Sequence, residues 1–196
     1  MGGPACLDFV NTLDDRFSGE PKEMLKEYGD LLRFGEDSGI LTDAQVDRLM
    51  ARGVKHRDEG RRALVNAIRM REAMSDVFYA ALWKKPVPSE ALGVLNGFVQ
   101  EAGQHLQLVE AGGRFEWKFD EAADEMDAPL WPIARSAAEL LASDRVEYVR
   151  ACASKTCEWL FLDESKNHRR RWCDMTKCGN RAKVRRFYSR RKKEGV

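Results

Sequence analysis

The sequence predicts a mainly α fold: a helical N-terminal domain with one β-hairpin, followed by a small cysteine-rich unit that ends in a basic helix. Three observations predict it. Apolar residues recur at helical spacing through most of the first 100 residues, apolar and polar residues alternate on both sides of one Gly-Gly pair, and four of the five cysteines lie after residue 150. A chain of 196 residues suits one domain of ordinary size with a small appendage.

Four helices are predicted before residue 105. The first has an apolar face that begins at Met24, and it ends at Gly39. The second begins with a capping box, from Thr42 to Gln45. The third is the longest and carries an apolar stripe from Leu64 to Leu82. Ser89 is expected to cap the fourth.

The pattern changes after these helices. Residues 105–119 alternate apolar and polar side chains around Gly112 and Gly113, which predicts a β-hairpin with a two-residue turn. Helical spacing returns from Pro129, and strand-like segments then bracket Cys152 and Cys157. No low-complexity linker or internal repeat interrupts the chain. We therefore predict two units without a spacer, residues 1–147 and residues 148–196.

Composition excludes some classes of protein. The sequence has no run of eighteen apolar residues, so we expect no transmembrane helix and no membrane partner. The N-terminus lacks the basic region and the apolar segment of a secretory signal. We therefore expect a cytoplasmic protein, in which paired cysteines bind a metal more often than they form disulfides.

The net charge of +1 hides a strong asymmetry. Residues 1–149 contain 18 Lys and Arg against 27 Asp and Glu, a net charge of −9. Residues 150–196 contain 15 against 5, a net charge of +10. Such a division indicates a basic segment that meets a polyanion, or one that docks on the acidic body of the same chain.

Two close cysteine pairs indicate a metal site. Cys152, Cys157, Cys173 and Cys178 follow the spacing C-x4-C-x15-C-x4-C, in which each pair supplies two thiolates from one turn. We predict one structural Zn²⁺ in a treble-clef-like finger. The segment between the pairs is expected to form a small hairpin, from residues 159–162 and 170–172, and the second pair to open a helix. Two disulfides or four buried core cysteines are the alternatives.

His168 and Cys6 are of residue types that can bind a metal or act as a nucleophile. His168 is a rival metal ligand, but four thiolates already close the shell, so a loop position is favoured. Cys6 lies among apolar residues, and we expect it to be buried in the core.

The finger and its terminal helix carry the candidate nucleic-acid contacts. Their basic side chains would bind the phosphate backbone, and Arg and Asn of a helix in the major groove would read bases. The candidates are Arg169, Arg170, Asn180, Arg181, Lys183, Arg185, Arg186 and Arg190. Asn180 is alternatively a backbone partner within the finger, and Arg181 a partner of Asp163 or Asp174. Val184, Phe187 and Tyr188 form an apolar stripe that is suited to packing on the finger or the body.

These residues carry a resemblance to a known family. Cys178-Gly179-Asn180-Arg181 resembles the signature of the CGNR zinc finger, and LDFVNTL, Leu7 to Leu13, resembles the start of the ABATE domain that accompanies it. The resemblance implies a bacterial, stress-induced regulator of transcription whose finger holds zinc on the four cysteines and binds duplex DNA. A zinc-stabilised module for protein or RNA, with its basic tail docked on the body, is the alternative function.

The body holds one polar candidate site. Arg71 falls on the apolar stripe of the long helix, so we expect it to be buried with a partner, and Asp8, Asn11 and Thr12 are the candidates. An ion pair between helices is favoured over a pocket for a small anionic ligand. The body could otherwise form a homodimer. No catalytic motif is present in the sequence, so we do not expect an enzyme.

Overall fold

The mainly α fold is confirmed. The structure, a computed structural model, describes residues 3–120 and 123–193, and in the last helix it describes side chains as far as residue 185 and at residue 188. The α-helices within these residues are α1 (Ala5–Val10), α2 (Tyr28–Asp37), α3 (Asp43–Lys55), α4 (Arg57–Leu82), α5 (Ser89–Gln104), α6 (Leu130–Leu141) and α7 (Asn180–Lys193).

Within the described residues, six short strands form three antiparallel pairs. The strands are β1 (Leu13–Asp14), β2 (Lys22–Glu23), β3 (Leu106–Ala111), β4 (Arg114–Phe119), β5 (Val149–Ala151) and β6 (Leu160–Leu162). Each pairs with its neighbour in sequence, β1 with β2, β3 with β4 and β5 with β6. A 3-10 helix, Asp144–Tyr148, leads into β5, and a π-helical turn, Met175–Gly179, leads into α7.

Helix α4 is the centre of the body. Helices α1, α2, α3, α5 and α6 all pack against it. Its buried side chains include Met70, Met74 and Phe78, and they belong to one apolar core that also holds Leu31 of α2 and Ile133 of α6. The body therefore buries the apolar stripe of the longest helix on several sides, which explains why a helix of 26 residues is stable here.

The helix ends follow local chemistry, with two corrections. Thr42 and Gln45 form the expected capping box of α3, and Gly39 follows α2 with a φ of +67°. The prediction that the first long helix includes Met24 is wrong: Glu27 and Asp30 form a capping box that starts α2 at Tyr28. The prediction that Ser89 caps α5 is also wrong, because Ser89 is the first helical residue.

The β3–β4 hairpin forms as predicted and projects from the body. Gly112 and Gly113 have φ of +62° and +79°, the two positive angles that a type I′ turn requires. At the base of the hairpin, Phe119 packs beside Trp131, whose ring stacks on His105 at 3.6 Å. The body therefore covers the base of the hairpin.

The β5–β6 pair is part of the core of the body. Leu160 and Leu162 are buried in that core together with Val149 of β5. The side chain of Asn11, just after α1, accepts a bond from the Leu160 backbone N–H at 2.9 Å and donates to the Leu160 carbonyl at 2.8 Å. The first half of the cysteine-rich unit therefore folds against α1, although the predicted division of the chain falls at residue 147.

The predicted hairpin between the cysteine pairs is wrong in its pairing. Residues 159–162 include β6, which pairs with β5 across the first cysteine pair. Residues 170–172 form no strand, and the N–H of Ala153 donates to the carbonyl of Arg171. Because β5 precedes the first cysteine pair, the hairpin encloses Cys152 and Cys157.

Within the part of the chain that the structure describes, no helix is both long enough and apolar enough to cross a membrane.

Candidate metal centre and basic surface

The four predicted ligands converge. The Sγ atoms of Cys152, Cys157, Cys173 and Cys178 all lie within 4.8 Å of one another. Cys157 Sγ lies 3.5 Å from Cys173 Sγ, which in turn lies 3.7 Å from Cys178 Sγ. Four thiolates around one Zn²⁺ at about 2.3 Å place their sulfurs about 3.8 Å apart. The cluster therefore fits one structural Zn²⁺, and all five cysteines are free of disulfides.

The first cysteine pair is held by a tight turn. The N–H of Cys157 and the N–H of Glu158 both donate to the carbonyl of Ser154, and Glu158 has a φ of +54°. The N–H of Cys152 donates to the carbonyl of Trp159, which closes the turn at the start of β6. This geometry aims both sulfurs to the same side.

The second pair is held by the π-helical turn. Asp174 caps the turn, because its Oδ1 accepts bonds from the N–H groups of Thr176 and Lys177 at 2.6 and 3.0 Å. The N–H of Gly179 donates to the Asp174 carbonyl, so Cys178 lies in the last π-helical residues before α7 begins. A Cβ at Gly179 would lie 3.2 Å from the side chain of Met175, so the turn is closely packed.

The neighbouring thiols shift one another's pKa values. Hydrogen bonds from Cys157 and Cys173 lower the pKa of Cys152, and the bond to Cys152 raises the pKa of Cys157. The bond to Cys152 likewise raises the pKa of Cys173. The thiolate is the form of cysteine that binds metal, and a bound divalent cation favours that form.

Asn180 and Arg181 both act within the finger. Asn180 Nδ2 donates to the Thr176 carbonyl at 2.9 Å, which is the backbone role foreseen for it. Arg181 Nη2 donates to Cys178 Sγ at 3.4 Å, so the expectation of a pair with Asp163 or Asp174 is wrong. Asp174 is occupied by the cap that it forms. Arg181 places a positive charge beside a thiolate ligand.

The loop after β6 is organised around Asp163. Burial would raise the pKa of its carboxyl, but bonds from Ser165 and from the backbone N–H of Arg170 outweigh burial and lower it. His168 Nδ1 lies 2.7 Å from the Asp163 carbonyl, and the His168 ring stacks on Tyr148. His168 is therefore a loop residue, as expected, and lies outside the sulfur cluster.

The guanidinium of Arg170 makes contacts within the finger. Its Nε donates to the carbonyl of Trp172, its Nη2 donates to the carbonyl of Cys173, and its guanidinium lies over the ring of Phe161. Arg170 is nonetheless exposed, so its role as a nucleic-acid contact stays a prediction. Arg169, beside it, is exposed.

Helix α7 displays the remaining basic candidates. Lys183 and Arg185 are exposed, and Arg185 Nη2 lies 3.5 Å from Thr156 Oγ1 of the first turn. The side chains of Arg186 and Arg190 lie outside the described residues, as does that of Phe187 from the apolar stripe. Of the other two residues of the stripe, Val184 is 54% exposed and Tyr188 is 64% exposed.

Arg71 is buried as predicted, and of the three candidate partners it binds Thr12, but its main partner is Glu23. Its side chain is 2% exposed, and Nη1 and Nη2 donate to the two carboxylate oxygens of Glu23 at 2.6 and 2.7 Å. Nε donates to Glu72, and Nη1 also lies 3.3 Å from Thr12 Oγ1. All three guanidinium nitrogens thus bind acceptors of the chain itself, which favours the ion pair over an anion pocket.

The other two pocket candidates, Asp8 and Asn11, lie away from Arg71. Asn11 binds Leu160, as described above, and Asp8 is half-buried, which raises its pKa. Both line a cleft of about 1020 Å³ between the body and the finger. Expecting Asp8 or Asn11 to pair with Arg71 was wrong. Sequence spacing missed Glu23 because it lies outside every helix.

The fold and the site define a class of protein: a helical body joined to a four-cysteine zinc finger that ends in a basic helix. Residues 3–144 match the ABATE family model, described as "putative stress-induced transcription regulator", and residues 148–191 match the CGNR zinc finger. The chain therefore belongs to the ABATE family and carries a CGNR zinc finger, which confirms the resemblance. A comparison with curated proteins finds no match.

Proposed function

We propose that the chain is a DNA-binding regulator of transcription, in which the zinc-bound finger presents α7 to duplex DNA. The family description supports a regulator, and the charge of the finger supports DNA as its partner. We place it in a bacterial stress response and in the cytoplasm, where a site of four reduced thiols persists. A zinc closed by four thiolates has no open position for water, so we assign a binding role and no catalytic one.

One observation carries the proposal: α7 is strongly basic and has little part in the core. Its 14 residues include eight Lys and Arg and no Asp or Glu. Its described apolar side chains, Val184 and Tyr188, are mostly exposed. A helix with no acidic residue to balance its charge concentrates positive potential, which is the footprint of phosphate binding.

The metal would give this helix a fixed direction. The π-helical turn joins Cys178 directly to Asn180, the first residue of α7, and Asp174 caps that turn. The zinc would therefore hold the N-terminal end of the helix, on which Lys183 and Arg185 are exposed. A helix held in one position loses less conformational entropy when its side chains bind phosphate.

Docking of the basic helix on the acidic body is the competing arrangement. The exposure of Val184 argues against it, because a docked helix would bury that apolar side chain. Binding to RNA or to an acidic protein remains the other outcome of the test below.

The experiment is a fluorescence anisotropy titration of the full, zinc-loaded chain against duplex DNA at several salt concentrations. We expect the logarithm of the affinity to fall linearly with the logarithm of salt concentration. Lys183→Ala should weaken binding to all sequences alike and flatten the salt slope by about 0.9. Arg186→Ala and Arg190→Ala should do the same. Arg185→Ala instead tests base reading, through loss of preference at one position.

Arg61→Ala is the matched control. Arg61 lies exposed on α4 of the acidic body, and its replacement removes the same charge. We expect it to leave the slope unchanged. If Arg61→Ala and Lys183→Ala changed the salt slope equally, binding would depend on the net charge of the chain and not on α7. Tighter binding to RNA or heparin than to duplex DNA at every salt concentration would overturn the choice of partner.

A further inference from the structure

The β3–β4 hairpin presents an apolar face that the body does not cover. Leu108, Phe115 and Trp117 share one face, because Leu108 pairs with Trp117 and Glu110 with Phe115. They are 57%, 73% and 56% exposed. The same face is covered only at the base of the hairpin, where Phe119 packs beside Trp131. An isolated two-stranded hairpin is marginally stable in water, so this projecting arm lacks a stabilising partner.

The outer edge of the hairpin is equally open. Within the described residues, β4 has β3 as its one strand neighbour, so the N–H and C=O groups of every second residue, which point away from β3, have no ladder partner. Strand edges in soluble proteins are commonly blocked by proline, by a bulge, by a covering segment or by charged side chains, lysine above all. Arg114–Phe119 contains no proline and pairs with β3 in unbroken register, but it carries Arg114, Glu116 and Lys118, so a partner strand has to oppose them with complementary charges. Such an edge is a template for another strand.

We propose that β4 pairs with β4 of a second copy, antiparallel and with Trp117 on the twofold axis, to form a four-stranded sheet. Charge complementarity selects this register. Glu116 and Lys118 form an ion pair at 3.3 Å within one strand, and this register also places each of them opposite the other residue in the second copy. It places Arg114 opposite Asp120 of the second copy, one residue beyond the strand. Shifting the centre to Glu116 would oppose Glu116 to itself and Arg114 to Lys118, which is unfavourable.

The same register also covers the exposed aromatic at the tip. Phe115, near the turn, falls opposite Phe119 of the second copy, at the base of that copy's hairpin. The base is where the body packs against the sheet, through Trp131 and His105. Each tip therefore gains cover from the other copy's body. Trp117 packs beside its own counterpart, with Leu108 next to it on the same face.

The size of the contact predicts a weak dimer. An aromatic side chain buries roughly 150–250 Å² when it is fully covered, so covering the exposed parts of Phe115 and Trp117 in both copies removes on the order of 500 Å² from water. Specific stable interfaces bury about 1,600 Å² in total, and weak ones less than about 1,200 Å². We therefore expect a dissociation constant in the micromolar range.

The pairing stands apart from DNA binding. Its consequence, two fingers on one assembly reading two half-sites, rests on the proposed function. The association itself is measured without DNA, so a monomer with DNA affinity and a dimer without it are distinct results.

The first measurement is sedimentation velocity of the full, zinc-loaded chain over a range of micromolar concentrations. We expect a monomer–dimer equilibrium that Trp117→Ser weakens by about tenfold or more. Val65→Ser, which removes an exposed apolar side chain from α4, should leave it unchanged. Glu116→Lys alone and Lys118→Glu alone should each weaken the dimer, and the double variant Glu116→Lys/Lys118→Glu should restore it. A monomer at all concentrations overturns the proposal.

The second measurement tests the register by cross-linking. In the proposed dimer, Trp117→Cys places two thiols on neighbouring strands, whereas Leu108→Cys places them on the outer strands. Cys6 is buried and the other cysteines hold the zinc, so the introduced thiol reports alone. We expect a disulfide-linked dimer with Trp117→Cys and not with Leu108→Cys. Equal cross-linking of both would indicate face-to-face packing of the hairpins and refute the edge pairing.

Discussion

Asn11 joins the body to the finger through two hydrogen bonds, and its removal tests that junction. The side chain is buried, and it satisfies both the N–H and the carbonyl of Leu160, which is itself buried in the core. Asn11→Ala leaves both backbone groups without a partner. The expected consequence is a loss of stability for the whole chain, because β6 belongs to the core of the body.

The magnitude follows from the two orphaned groups. A buried donor or acceptor without a partner costs about 1–3 kcal/mol, so the pair costs about 2–6 kcal/mol. For a chain of this length, 1 kcal/mol lowers the melting temperature by about 2–4 °C, so we expect Asn11→Ala to lower it by about 4–24 °C. Asn11→Asp should cost at least as much near neutral pH, since a carboxylate accepts from Leu160 N–H but repels its carbonyl.

The assay is thermal unfolding of the zinc-loaded chain, followed by circular dichroism at fixed free zinc. Asn96→Ala, at an exposed position of α5, is the matched control and should change the melting temperature little. A loss of less than about 1 kcal/mol for Asn11→Ala would refute the reasoning that Asn11 anchors β6 to the body.

The remaining predictions concern the buried ion pair and the metal. Burial would raise the pKa of Glu23, but bonds and charge from Arg71 outweigh burial and hold it below 4.5. The ion pair therefore contributes its full stability above pH 4.5 and loses it as the pH falls below that value. Glu23→Gln should lower the free energy of unfolding by about 1–2 kcal/mol near neutral pH. In denaturation experiments at decreasing pH, the two proteins should become equally stable. Removal of zinc should abolish hydrogen-exchange protection around residues 152–158 and 174–180. The Leu160 amide, which Asn11 binds, should stay protected. Loss of protection at Leu160 as well would contradict this prediction. Arg181→Ala should speed zinc release to a chromogenic chelator by about tenfold, whereas Lys183→Ala should not, since only Arg181 touches a ligand sulfur.

Much of the fold could be predicted because its signals are local. The apolar stripe of α4, the capping box at Thr42 and the alternation around Gly112 each depend on neighbours in sequence. The cysteine spacing likewise identified the metal cluster, because each pair is set by one turn.

The errors came from contacts between distant residues. Asn11 and Leu160 lie 149 positions apart, and only the packed structure brings the end of α1 against β6. Glu23 lies in a two-residue strand that no periodicity marks, yet it holds Arg71. Side-chain partners of this kind depend on tertiary geometry rather than on local pattern.

The central claim is that zinc, held by four thiolates, mounts α7 for binding to duplex DNA. The most direct test compares the full chain before and after removal of zinc, by anisotropy of a labelled duplex at one salt concentration. Zinc removal leaves the side-chain charges of α7 unchanged but frees its mounted end. We expect the affinity to fall by about tenfold or more and to return with one equivalent of Zn²⁺. Equal affinity with and without zinc would contradict the claim.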